Sequence, residues 1–193
     1  MKLTIAVSLL AGTSLALAQA PAWVAKSNEN AKVLISLETK YSPEGASSEG
    51  LPGFDELISQ PTEETAALSK ADLQKARVLL QGRLSVEKDP LVKQDLEILL
   101  TAADRDIHAT EVREKTFLTY INVGRLIFSG EKTLLDDQVN PERRPAAVVR
   151  LRKYTGLEPG FTPLTKIAED RYLAKAKNPA LLGPSKESVE KDL

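Results

Sequence analysis

Asp89-Pro90-Leu91-Val92-Lys93-Gln94-Asp95-Leu96-Glu97-Ile98-Leu99-Leu100-Thr101-Ala102-Ala103-Asp104-Arg105-Asp106-Ile107 is the stretch that decides the fold class. Val92, Leu96, Leu99, Ala103 and Ile107 recur at steps of four, three, four and four, so they share one side of a 3.6-residue helix. Asp89 is the expected N-cap, and Pro90 takes the first helical position, where its missing N–H costs nothing. Upstream, Thr62 caps a helix that carries Glu63 and Glu64 in the dipole-favoured first turn and runs toward Lys88. Its apolar stripe is Leu73, Ala76, Leu80 and Leu84. So short a joint predicts that the two helices fold back as an antiparallel hairpin.

Before this pair, the pattern predicts a helix from Pro21 to Lys40, with Trp23, Ala31, Leu34 and Leu37 apolar and Asn28, Glu29 and Asn30 on the polar side. From Tyr41 to Pro61 the chain turns to Gly, Ser and Pro, punctuated by Gly45, Gly50, Pro52 and Gly53, which predicts one long loop without regular structure. Loops of that length are uncommon unless they bind something or move, though a surface connector is the plainer reading. Downstream, Thr116 to Phe128 is apolar and holds aromatic and β-branched residues; it fits a strand or a buried helix, and periodicity does not choose. Asn140-Pro141 and Pro145 open a helix ending at Tyr154, and Gly156-Leu157 matches a left-handed terminator with its apolar contact. Glu158-Pro159-Gly160 should turn, Thr162-Pro163 starts a helix from Leu164 to about Lys177, and Asn178-Pro179 and Gly183-Pro184 set off a last one. That final segment, Ser185 to Leu193, offers only Val189 and Leu193 as an apolar pair, as expected of a truncated element or of a frayed tail. The expected fold is all-α: an irregular multi-helix array with one hairpin, one long loop and no internal repeat.

With 193 residues and 42% hydrophobic content, the chain supports one core, so residues 19–193 are expected to form a single helical domain. Aromatic residues make up 5%, which leaves few stacking platforms, and a net charge of -1 creates no field that would draw in phosphate backbones. Nucleic acid is therefore not an expected partner. Cys is absent, which removes disulfides, thiolate zinc sites and thiol nucleophiles. A single His leaves carboxylates as nearly the whole ligand supply, a set suited to calcium or magnesium rather than catalytic zinc.

Met1 and Lys2 precede an apolar run from Leu3 to Leu17, followed by the small-x-small sites Ala16-Leu17-Ala18 and Ala18-Gln19-Ala20. Residues 1–18 read as a secretory signal peptide cut after Ala18, because cutting after Ala20 would put Pro21 in an extended protease site. The run contains Thr4, Ser8, Thr13 and Ser14 and falls short of the roughly 20 apolar residues that span a bilayer. No Cys follows it to carry a lipid. The expected destination is the periplasm or the medium, with no membrane partner once the signal is removed.

His108 lies four residues after Asp104 and three before Glu111, so a helix would bring both carboxylates beside it. This is a small metal or acid/base site, or, more simply, a solvated face of ion pairs. One imidazole cannot build His-Glu-x-x-His, and no Gly-x-Ser-x-Gly elbow accompanies it for a Ser-His-Asp site. Ser129-Gly130-Glu131-Lys132 lacks the features of a phosphate-binding loop. Arg143, Arg144, Arg150, Arg152 and Lys153 form a basic cluster around Val148, Val149 and Leu151. It is either an anion or partner-domain contact or, the plainer reading, a solvated helix paired with Asp136 and Asp137. No residue is assigned a catalytic, cofactor-binding or metal-binding role.

Several segments together resemble the N-terminal part of exported bacterial proteins of the domain-of-unknown-function family 885. They are Ser27-Asn28-Glu29-Asn30-Ala31-Lys32, Tyr41-Ser42-Pro43-Glu44 with residues 50–55, Lys88-Asp89-Pro90-Leu91-Val92-Lys93-Gln94-Asp95-Leu96, Leu134-Leu135-Asp136-Asp137-Gln138-Val139, and residues 143–160. The family is similar to helical zinc peptidases and carries its His-Glu-x-x-His motif well downstream of such an opening region. The resemblance thus implies a non-catalytic N-terminal portion of a metallopeptidase-like hydrolase, shaping a substrate channel for peptide. Zinc is implied only for a downstream catalytic region that would be this portion's partner. The alternative is a self-contained periplasmic helical binding or scaffold protein with an apolar groove.

Overall fold

The computed structural model describes residues 21–192; the expected signal peptide lies outside them. Among the described residues the chain is all-α, with eight α-helices and no strand. The helices are α1 (Ala22–Tyr41), α2 (Pro43–Ser48), α3 (Glu63–Val86), α4 (Pro90–Thr116), α5 (Val123–Leu135), α6 (Pro145–Tyr154), α7 (Leu164–Ala176) and α8 (Lys186–Asp192), with a 3₁₀ turn at Pro141–Arg143.

Helices α1, α3 and α4 form one packed layer. Leu80 of α3 and Val92, Leu96 and Leu100 of α4 are buried together, with Trp23, Val33 and Leu34 of α1 and Leu84 and Leu99 against them. Thr62 accepts from the Thr65 amide, and Asp89 accepts from the Leu91 amide, so each long helix starts at a side-chain cap. Salt bridges fix the directions. Lys26 pairs with Glu87 at 2.7 Å and Lys40 with Asp72 at 2.8 Å, a descending match that runs α1 antiparallel to α3. Lys70 meets Glu114 at 2.7 Å and Arg77 meets Asp104, which runs α3 antiparallel to α4.

The polar side expected for α1 needs correction. Asn30 is buried and accepts from Arg83 Nη1 at 2.9 Å, and Ser27 is buried one turn earlier. Trp23, Ser27, Asn30, Leu34 and Leu37 recur at steps of four, three, four and three, so two polar residues occupy seam positions. Arg83 supplies the hydrogen bond that lets Asn30 sit there.

The stretch expected as one irregular loop, residues 41–61, contains α2, six residues long, which buries Pro43, Ala46 and Ser47. Pro43 supplies the preset first-turn φ, and Glu44 sits at the favourable end of the dipole. Residues 116–139 resolve into an extended connection followed by α5, which buries Gly130 and Leu134. Helix α6 ends as expected: Gly156 has φ 72°, Leu157 N–H donates to Arg152 O at 2.8 Å, and Gly156 N–H donates to Lys153 O at 3.1 Å. Leu157 itself is 67% exposed, so this stop rests on the two bonds and the glycine rather than on an apolar contact. A Cβ on Gly156 would also stand 2.6 Å from the Pro163 ring.

Candidate functional site

Two places gather chemistry-bearing side chains. The first is where α6 meets the 43–61 segment. Arg143 grips Asp55 through two parallel bonds, Nε to Oδ2 at 2.8 Å and Nη2 to Oδ1 at 2.6 Å, and also donates to Ser47 O at 2.6 Å. Ser47 Oγ donates to the same carboxylate at 2.7 Å. These contacts hold the Asp55 carboxyl below its ordinary range, the Arg143 hydrogen bond first among the causes. Seven residues further on, about two turns, Arg150 is fully buried. It donates to Gly130 O at 2.7 Å and to Phe54 O at 3.1 Å, so one guanidinium ties α5 to the irregular segment.

Glu44 completes the clamp. Its Oε1 accepts from the Ser59 amide at 2.8 Å, the Ser59 hydroxyl at 3.0 Å and the Tyr154 hydroxyl at 2.9 Å. Burial, followed by the Glu44 charge, pushes the Tyr154 phenol far above its ordinary range. Tyr154 packs so closely on α5 that a Cβ at Gly130 would lie 2.3 Å from its hydroxyl oxygen. Glu131, the next residue, has its carboxyl raised by burial against the opposing pull of Arg150. Its Oε1 and the Arg150 Nε are both buried without a hydrogen-bond partner among the described residues.

The basic cluster is thus not the solvated, Asp136/Asp137-paired helix expected of it. Arg144 does reach Asp137 at 3.5 Å, and Arg152 pairs with Glu158 at 3.2 Å. Arg143 and Arg150 instead point inward, and Lys153 donates to Glu56 O at 2.6 Å. Carbonyl oxygens have two lone pairs, so these cations add a second bond at Ser47 O and Phe54 O, which already accept from the Gly50 and Leu57 amides, and so cross-link the segment to α6.

The second place is a cleft of about 700 Å³ between the start of α3, the end of α4, the 117–121 connection, α7 and residues 182–188. Leu73, Ile107, Phe117, Leu118 and Ile121 give it apolar walls. Four cations, Lys70, Arg113, Arg171 and Lys175, line it with a single carboxylate, Glu114. Lys70 is paired with Glu114, while Arg171 and Lys175 share Glu63 at 3.1 and 3.6 Å.

His108 is exposed, and Asp104, one of its two expected neighbours, is bound by Arg77 Nη2 at 3.2 Å. A lone imidazole without a thiol in the chain does not fit a catalytic zinc, and no group of three potential ligands occurs among the described residues. Sequence reading assigns no role to Glu44, Asp55, Gly130 or Tyr154 as clamp residues, because their partners lie 88 to 110 residues away or in another helix. Comparison with family models, curated proteins and solved structures finds no match.

Proposed function

We propose that this chain is the non-catalytic, N-terminal helical portion of an exported, metallopeptidase-like hydrolase of the domain-of-unknown-function family 885, forming one wall of its substrate channel. The family assignment rests on the order and spacing of the motifs quoted above. The observation that carries the wall role is a second set of apolar rows, facing away from the core. Leu68, Leu79 and Val86 share one outward face of α3, and Leu91, Ile98 and Val112, at multiples of seven residues, share one of α4. Val86 is 77% exposed and Ile98 59%. A long helix that is apolar on two faces is suited to being covered on both. In this reading further polypeptide of the same hydrolase covers the outer rows and contributes the zinc ligands.

The test is binding of a hydrophobic fluorescent dye to the purified chain. Wild type should bind it, and the Leu79→Glu/Val86→Glu double variant should lose most of that binding while keeping its helical circular dichroism. A wild-type chain that binds no dye and melts in one sharp transition would overturn the reading.

The cleft favours a second reading, a self-contained periplasmic helical binding protein, since about 700 Å³ is the size of a small-ligand site. Coding sequence downstream of Leu193 separates the two. A frame that continues to His-Glu-x-x-His supports the hydrolase portion, and a stop supports the binding protein.

A further inference from the structure

The wall of the cleft contains a piece of unused β-edge. Phe117 and Asn122, at the two ends of the connection between α4 and α5, both have extended dihedrals, and no helix or turn lies between them. The connection starts a parallel pairing: Leu182 N–H donates to Thr116 O at 2.8 Å, and Leu118 N–H donates to Leu182 O at 2.9 Å. The next donor in such a ladder would be residue 184, which is Pro184 and has no N–H. Pairing therefore stops after one bridge.

On the opposite edge, alternate residues of an extended chain turn their N–H and C=O the same way, so Thr119 and Ile121 face together. Neither residue's main chain has a hydrogen-bond partner among the described residues, and both line the cleft. In the same cleft stands a cation without an ion-pair partner among the described residues. Of the four lining cations, Lys70, Arg171 and Lys175 each have a carboxylate partner; Arg113 forms no ion pair among the described residues.

We propose that the cleft binds an extended polypeptide end, its backbone added to the open edge at Thr119 and Ile121 and its terminal carboxylate set against Arg113. Edge addition supplies main-chain hydrogen bonds that are indifferent to sequence. Apolar walls take every second side chain of the added strand. The unpaired guanidinium supplies a charge-assisted, geometrically matched contact for a carboxylate, which selects the chain end over its interior. The inference deepens the hydrolase-wall reading by placing a peptide-holding site, but its chemistry is complete within this chain.

The experiment is fluorescence anisotropy of the purified full chain with a dye-labelled Val-Thr-Val-Thr-Val peptide. Three forms are compared: free C-terminal acid, C-terminal amide, and backbone N-methylated acid. The free acid should bind saturably and about tenfold more tightly than the amide, the scale of one charge-assisted hydrogen-bonded contact. N-methylation should abolish binding. Arg113→Ala should bring the acid down to the amide's affinity with circular dichroism unchanged, because the side chain is exposed at the end of α4. No saturable binding of the acid, an acid-to-amide preference below threefold in wild type, or an intact preference in Arg113→Ala would each overturn the proposal. Dye binding at Leu79 and Val86 reads the outer rows separately, so either idea can fail while the other stands.

Discussion

The α1/α3/α4 layer and the region joining α2, α5 and α6 are both helical, yet different forces hold them. In the layer, Leu80, Val92, Leu96 and Leu100 bury apolar area against one another, and ion pairs sit outside on the rim. In the α2/α5/α6 region the apolar contacts are split between two clusters, Leu134 with Ala146 and Ala147, and Tyr154 with Leu164 and Ile167 of α7, and polar clamps are added to them. Arg143, Arg150 and Glu44 there bind backbone and side-chain groups of residues 47–59 directly. A stripe of leucines makes a helix stick; a segment without regular hydrogen bonds needs its polar groups answered one at a time.

Breaking each region at its centre sharpens the contrast. Arg150→Met should have the largest effect, a loss of about 4 kcal/mol by urea unfolding, because two charge-assisted hydrogen bonds from one buried guanidinium, to the Gly130 and Phe54 carbonyls, are lost together. Leu96→Ala, in the layer, should cost about 3 kcal/mol as a cavity, and salt should not alter that cost. Tyr154→Phe removes one of three donors to Glu44 and should cost about 1.5 kcal/mol, with Ser59 still bound.

The smallest effects concern pH and run in two directions. Asp55 and Asp72 are held below the ordinary range, and Lys26 with the Asp89 and Lys88 amides holds Glu87 at about 2. A depressed carboxyl stabilises the fold above its unfolded pKa and loses that contribution as pH falls. Stability should therefore decline as pH drops below about 4.5 and, for the Glu87 share, continue to decline to about 2. Glu131 has the opposite sign: its raised carboxyl binds its proton more tightly when folded, so ionisation penalises the fold as pH rises above 4.5. Glu131→Gln should accordingly raise the thermal midpoint slightly at neutral pH and leave it unchanged near pH 3. A lower midpoint at neutral pH would show that the carboxylate is needed beside Arg150.

Much of the layer could be read from the sequence because its forces are periodic. The stripes of α3 and α4, the caps Thr62 and Asp89 and, outside the layer, the Gly156 stop of α6 are all local patterns. Asn30 and Ser27 escaped because a polar residue at a seam position looks like surface until Arg83 is placed beside one of them. The clamp was illegible for a related reason. Arg150 is read as a surface cation on composition, and only the fold brings Phe54, 96 residues away, under its guanidinium. The cleft likewise joins Lys70, Arg113, Arg171 and Lys175 from three helices, with no local motif marking it.

Residue-resolved hydrogen exchange in wild type and Arg150→Met tests most directly whether two kinds of force hold the two regions. The Ser59 amide, bound to Glu44 at 2.8 Å, and the Leu57 amide, bound to Phe54 O at 3.1 Å, should lose protection in the variant. The Leu96 and Leu100 amides within α4 should keep theirs. Equal loss at all four amides, or unchanged protection at Ser59, would contradict the account.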